Sequence, residues 1–343
     1  MSRAESVRLA VRKTYKLYIG GAFSRSESGR SYVVTSSKGD FLANASKASR
    51  KDARDAVSAA RGAFAGWSGA TPYNRGQILY RVAEMLEGRR AQFVAELTEA
   101  GTRRAGDARD VVDAAVDRLV WYAGWSDKIA AVAGSANPVA GPYFNVSSPE
   151  PTGVVAVIAP DDPLLGLVSV IAPVIVTGNT CVVVASERAP LPSITLAEVL
   201  ATSDLPGGVV NILTGSVGEI APWLASHMDV NAVDLTGVAD GDLAIACEEA
   251  AAENLKRVFR PAGGGRTSRA PGAFGGSDGV AEGVAEGPQG AKGAGEAARP
   301  GRAGAPATSA PPAASGTDWF ADPGTRRLTA FLETKTVWHP TGI

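Results

Sequence analysis

Two cysteines and two histidines supply every thiol and imidazole in this chain of 343 residues. A thiolate can attack a carbonyl, and sets of Cys and His can hold zinc. Cys181 sits inside a β-branched run, TCVVVAS at 180–186, and Cys247 sits mid-helix in AIACEEAAA. A free cysteine in such a setting is a small buried hydrophobe. Neither has an activating neighbour or a helix N-terminus to lower its pKa. Their spacing supports neither a disulfide framework nor a zinc site. His227 falls at a helix end and His339 near the end of the sequence, both expected to be solvated. No Gly-x-Ser-x-Gly elbow, Walker loop or His-Glu-x-x-His helix is present. The residues alone therefore assign no catalytic side chain and no metal ligand. Gly215 and Gly218 suit a strand-to-helix turn.

The elements that would position any site run from residue 152 to 261. Short apolar runs at 153–160 (GVVAVIAP), 180–186, 209–213 (VVNIL), 231–235 (NAVDL) and 256–259 alternate with helical patterns at 163–177, 194–203, 218–227 and 242–254. Continuous β-branched runs between helices predict a parallel sheet covered on both faces, an α/β, Rossmann-like doubly wound fold. Such sheets bind ligands outside the carboxyl ends of their strands. Asp162-Pro163 reads as a helix N-cap followed by Pro at the first helical position.

Upstream, residues 1–14 are polar and expected to be a flexible N-terminus. Residues 15–23 (YKLYIGGAF) give a strand and a turn at Gly20-Gly21. Helices are predicted over 51–67, 74–100 and 108–129. In the second, Leu79, Val82, Ala83 and Leu86 form one apolar stripe. Residues 142–151 (PYFNVSSPEP) are extended and bounded by proline. Downstream, residues 262–316 are about two-thirds Gly, Ala and Pro, with one Phe, two Val and no Leu or Ile. So little apolar surface cannot offset roughly 1–2 kcal/mol of ordering entropy per residue, so a disordered linker is expected. Order should resume in 317–343, where ETKTVW alternates as a strand.

With 34 Lys and Arg against 35 Asp and Glu, the net charge is −1. That gives no reason to expect nucleic acid or an anionic membrane as partner. No apolar run is long enough to span a bilayer, and no secretory leader is apparent. The expected location is cytoplasmic.

GVVAVIAP, IAPVIVTGNTCVVVASE, LPGGVVNILTGS, LASHMDVNAVDLTG and AAAENLKRV, taken in order, resemble the coenzyme-binding domain of the aldehyde dehydrogenase superfamily. The likeness covers most of 15–258 and resumes at 328–337 (LTAFLETKTV). It implies a coenzyme-binding domain over 15–261, NAD or NADP as cofactor, an arm at 142–151 that helps pair subunits, and a C-terminal strand that pairs with a neighbouring subunit. It carries five cofactor-binding positions onto this chain: Pro160, Glu187, Gly218, Thr236 and Gly237.

Aldehyde oxidation needs a thiolate, oxyanion donors, a nicotinamide and a carboxylate that activates water. The family's nucleophile lies in a separate catalytic domain. That domain's place is taken here by residues 262–316, which hold no cysteine. The family's Glu-Leu-Gly-Gly, which supplies the general base, reads Pro261-Ala262-Gly263-Gly264, and proline transfers no proton. Pro-Trp-Asn at the end of the first strand reads Pro160-Asp161-Asp162, and an ionised Asp only accepts hydrogen bonds. Lys-Pro-Ser-Glu reads Val184-Ala185-Ser186-Glu187, so the lysine is gone while Glu187 could still accept from ribose hydroxyls. Thr-Gly-Ser reads Thr236-Gly237-Val238, and Asp240 and Asp242 bring negative charge to the helix N-terminus where a diphosphate would lie. NAD binding is expected to be weak or lost.

Three readings follow from the resemblance. The chain is a non-catalytic subunit, a pseudoenzyme that forms a homo-oligomer or joins an intact homologue. Or it is an NAD(P)-dependent oxidoreductase acting on the aldehyde group of donors, with its nucleophile supplied by a partner. Or it is the relic of a damaged gene, because an out-of-frame G+C-rich stretch would encode the bias of 262–316.

Overall fold

The computed structural model describes residues 13–261 and 317–341. The expectations for residues 1–12 and for the linker at 262–316, including Gly263-Gly264, lie outside the described residues.

In chain order the elements are β1 (Thr14–Tyr15), β2 (Leu17–Ile19), β3 (Ala22–Ser24), β4 (Ser31–Thr35), β5 (Phe41–Ser46), α1 (Arg50–Gly69), α2 (Pro72–Gly88), α3 (Arg90–Glu99), α4 (Ala105–Ala123), α5 (Ile129–Ala133), β6 (Ser135–Asn137) and β7 (Tyr143–Pro151). The sheet-forming run follows: β8 (Val154–Ile158), α6 (Leu165–Val176), β9 (Thr180–Val184), α7 (Leu191–Ala201), β10 (Val210–Leu213), α8 (Val217–Ser226), β11 (Ala232–Asp234), α9 (Gly241–Ala252) and β12 (Arg257–Phe259). After residue 316 come α10 (Arg326–Ala330) and β13 (Leu332–Pro340).

The central sheet has seven strands in the order β12-β11-β8-β9-β10-β2-β3. Strands β12 to β10 are mutually parallel, and β2 joins antiparallel with β3 on its far side. Alternate residues face opposite layers. Val155, Val157, Cys181 and Val183 pack with α2, α4, α6 and α7, while Val154, Ala156, Val182 and Val184 pack with α1, α8 and α9. Both faces being covered is why the strands read as unbroken apolar runs. The doubly wound fold expected from the sequence is the fold observed. No helix among the described residues is long and apolar enough to cross a membrane.

The structure departs from the sequence reading at four places. Residues 74–100 do not form one helix. The chain breaks at Arg89 (φ −108°, ψ 12°) between α2 and α3. Gly88 ends α2 and has low helix propensity, and the break turns Phe93 and Leu97 of α3 fully into the core. Similarly 108–129 divides into α4 and α5, ending at Gly124. The hairpin β4–β5, with Gly39 at φ +88° in its turn, has no counterpart in the expectations. Finally, Asp162 is not the N-cap of α6 and Pro163 is not its first residue. The helix starts at Leu165, and Asp162 Oδ1 accepts from Gly166 N at 2.8 Å across an intervening turn.

The C-terminal strand is paired within its own chain along one edge. β13 lies antiparallel along β7 of its own chain, in register from Leu332 opposite Pro151 to Pro340 opposite Tyr143. With β6 they form a sheet of order β13-β7-β6, so β13 is an edge strand.

Asp52 ties the N-terminal strands to the main body. It completes a capping box with Ser49 at the start of α1. It also accepts from Ser26 Oγ at 2.7 Å and Glu27 N at 3.0 Å. Burial alone would raise its pKa, but these hydrogen bonds outweigh burial and hold it below the usual carboxylate range. A depressed folded pKa contributes stability above the unfolded value, and that contribution is lost as pH falls through the folded value. Asp52→Asn should cost about 1–2 kcal/mol at pH 7. In urea unfolding, its gap to the parent chain should close as pH falls below about 4. A gap of the same size at pH 3 would contradict this role.

Candidate functional site

Four parallel strands deliver their carboxyl ends to one rim. β8 runs into Ala159-Pro160, β9 into Ser186-Glu187, β10 into Gly215-Ser216, and β11 into Thr236-Gly237. All five positions expected to meet a cofactor lie along this rim or in the first turn of the helix after it. Their local chemistry differs from one to the next.

Glu187 is exposed, and its Oε1 accepts from Val217 N at the start of α8. The carboxylate that the resemblance gives to a ribose thus caps a helix whose own N-cap, Ser216, makes no side-chain cap bond. Gly218 lies in the first turn of α8, and a Cβ there would meet nothing nearer than Ser216 Oγ at 3.9 Å. Packing does not demand this glycine, so open space remains above that helix end. Gly237 is the opposite case. A Cβ would sit 2.0 Å from the Ala159 carbonyl oxygen, so close strand packing alone requires glycine. Pro160 is buried and packs near Gly166.

Thr236 is closed to solvent, with 4% of its surface exposed. Its N–H donates to Asp234 Oδ1 at 2.9 Å and its hydroxyl donates to the same oxygen. Arg327 Nη2 donates to Thr236 Oγ1 at 3.0 Å. The N-terminus of α9 is likewise occupied from within. Asp240 is its N-cap and Oδ1 accepts from Asp242 N at 2.9 Å and Leu243 N at 3.3 Å. A helix N-terminus attracts an anion through free N–H groups and its dipole. Here a carboxylate of the chain takes two of those groups, and Asp242 adds a second negative charge in the first turn.

Where oxyanion donors would stand, the side chains are acceptors. Asp161 Oδ1 accepts from Ser186 Oγ at 2.8 Å. Asp162 Oδ2 pairs with Arg103 Nη2 at 2.9 Å. Both thiols are fully buried, Cys181 in β9 and Cys247 in α9. Burial pushes the Cys181 thiol far up, and burial together with Glu248 pushes Cys247 up to about 11. Neither thiol is a thiolate at neutral pH, and neither reaches the rim. No cluster of His, Cys, Asp or Glu among the described residues could hold a metal ion.

Three residues at this rim escaped the sequence reading: Arg118, Asp234 and Arg327. A signal did exist for one of them. Asp234 is a carboxylate inside an apolar strand, and a buried charge must be paired. Its partner is Arg327 Nη1 at 2.8 Å, remote in sequence.

A doubly wound sheet with glycine-bearing turns at its carboxyl rim defines a domain of the dinucleotide-binding type. The model of the aldehyde dehydrogenase family matches residues 23–268, and the chain belongs to that family. It is 32% identical over 256 residues to a putative aldehyde dehydrogenase of Bacillus subtilis, covering 73% of this chain and 51% of that protein. It is 34% identical over 259 residues to retinal dehydrogenase 2 of Gallus gallus, covering 74% and 49% respectively. Among solved structures, the NAD+ complex of an aldehyde dehydrogenase from Bacillus cereus superposes with a TM-score of 0.66 at 27% identity, covering 72% of this chain and 50% of that one. PnpE from Pseudomonas sp. WBC-3 superposes with a TM-score of 0.68 at 29% identity over similar shares. The chain spans about half the length of the curated relatives it matches.

The thiols provide a direct check. In native protein both cysteines should react with a disulfide reagent at least about 100-fold more slowly than in denaturant, as raised pKa and burial require. Rapid labelling of one thiol in the folded chain would show a nucleophile that this geometry lacks.

Proposed function

We propose that this chain is a non-catalytic member of the aldehyde dehydrogenase family, a pseudoenzyme subunit that associates with itself or with an intact homologue. The observation that carries this reading is the rim. It retains the scaffold for a dinucleotide while Thr236, Glu187 and Asp240 there serve the chain's own packing and capping. Thr236 lies under Arg327, Glu187 caps α8 and Asp240 caps α9. Pro261 stands where the resemblance puts the general base. NAD or NADP, the family's coenzymes, would meet a rim short of free donors, so binding is weak or lost.

Association is supported by what the fold leaves uncovered. Among the described residues β12 and β13 are both edge strands, and an unpaired edge is a template for another chain. Beside β12, Leu255 is 91% exposed and held at φ +58°, an unfavourable backbone for an apolar residue with no packing to compensate. Ile245 and Val258 are also exposed nearby in the chain. On the other sheet, Tyr143 and Trp338 stack edge-on with centroids 5.9 Å apart while each stays about half exposed. Exposed apolar side chains beside open strand edges support association.

Co-expression with an intact aldehyde dehydrogenase from the same cell tests the reading. The chain alone should produce no NADH from aldehydes. It should co-purify in stoichiometric amounts with the homologue, or run as an oligomer by itself. A monodisperse monomer that ignores the homologue would remove the subunit role.

A further inference from the structure

The segment after residue 316 does more than supply an edge strand. Its first half, residues 318–331, crosses the carboxyl rim and is fastened there by contacts of different kinds. Arg327 Nη1 pairs with Asp234 Oδ2 at 2.8 Å, and Nη2 reaches Thr236 Oγ1 at 3.0 Å. The same guanidinium lies over the Phe259 ring at 4.5 Å and the Trp319 ring at 5.6 Å. Arg118, on α4, is held by Ser169 through Nη1 at 2.9 Å, and its Nη2 donates to the carbonyls of Trp319 at 2.7 Å and Ala321 at 2.9 Å. Gly166 makes room for the Trp319 indole, which a Cβ there would approach to 3.2 Å. Beyond the clamp, Leu328 and Phe331 enter the core, and Asn179 Nδ2 donates to the Phe331 carbonyl at 3.0 Å.

We propose that residues 318–331 are a strap that acts as an internal competitor at the ligand end of the sheet: a dinucleotide must displace Arg327 to engage the Thr236–Gly237 turn. This rests on the reading of the rim as the remnant of a coenzyme site. The Thr236 hydroxyl donates to Asp234 and accepts from Arg327, so no ligand reaches it while the strap is down. The strap's guanidinium meets Asp234, a fully buried carboxylate of the rim, and a ligand phosphate would offer Arg327 a second anion. The far end stays fixed, because β13 is laddered to β7 over its whole length. Opening therefore frees Trp319–Arg327 while the strand keeps its place. Among the described residues Glu187 and Gly218 lie outside the strap's contacts, so the strap guards the Thr236 turn in particular.

The test uses the full chain and NAD as the probe. Removing Arg327 alone would strand a buried charge, which costs far more than removing both partners. The variant is therefore Asp234→Asn with Arg327→Leu, in which the Asn oxygen still accepts from Thr236 N–H. Hydrogen exchange by mass spectrometry follows the strap, and equilibrium dialysis follows NAD. Expected is exchange across 318–331 faster by about 10-fold with β8 and β9 still protected, and an NAD Kd lower by about 10-fold, equivalent to roughly 1.4 kcal/mol. Saturating NAD should also quicken strap exchange in the parent chain. If this variant does not fold, Trp319→Ala loosens the strap without touching the buried pair and should move both readouts the same way. Equal, measurable NAD affinity in parent and variant would overturn the strap while leaving the rim reading intact. No binding by either protein at millimolar NAD would overturn the strap and agree with a rim that has lost its coenzyme, whereas tight binding by the parent chain would overturn the rim reading.

Discussion

A parallel sheet whose strands are apolar on both faces has to be covered on both, and most of this structure is the consequence. Strands β8 to β11 carry Val, Ile and Ala on each side. Helices α2, α4, α6 and α7 close one side, and α1, α8 and α9 close the other. That burial holds four strand ends in line and so creates a rim at which a ligand could sit. The same constraint shuts the thiols away. Cys181 is one of the buried side chains that make the sheet, so reactivity there would conflict with the fold.

Occupancy of the rim follows from a second physical demand, that buried or terminal polar groups find partners. Asp234 is fully buried and takes Arg327 as its counter-ion. The α9 N-terminus takes Asp240, and α8 takes Glu187. Each of these satisfies the chain's own polar groups with the chain's own side chains. A rim satisfied in this way has fewer free donors to offer a ligand.

How much of this was legible in the sequence depended on range. Strands buried on both faces announce themselves as continuous β-branched runs, so β8, β9 and β10 could be placed within a residue or two. Glycines at 20–21 marked the first hairpin. By contrast, β4 and β5 alternate weakly around the polar turn SSKGD, and nothing local separates them from loop. The break at Arg89 interrupts an otherwise sustained helical pattern. It is decided by where Phe93 and Leu97 can be buried, which is a tertiary question. The five rim positions were placed by likeness to a family, yet likeness did not show what now fills their hydrogen bonds. Arg327 and Trp319 meet partners far away in the chain, and single-sequence patterns carry no such pairing. Only Asp234, a lone carboxylate in an apolar strand, hinted that a cation had to arrive from elsewhere.

The proposed pseudoenzyme would hold a coenzyme fold without the chemistry that fold serves in its relatives. A single-turnover experiment addresses it most directly. The purified chain, in molar excess over an aldehyde and with saturating NAD, would be followed by NADH absorbance and by intact-protein mass. The proposed function predicts no NADH and no acyl adduct on either cysteine. Stoichiometric NADH, or a mass increase equal to one acyl group, would contradict it.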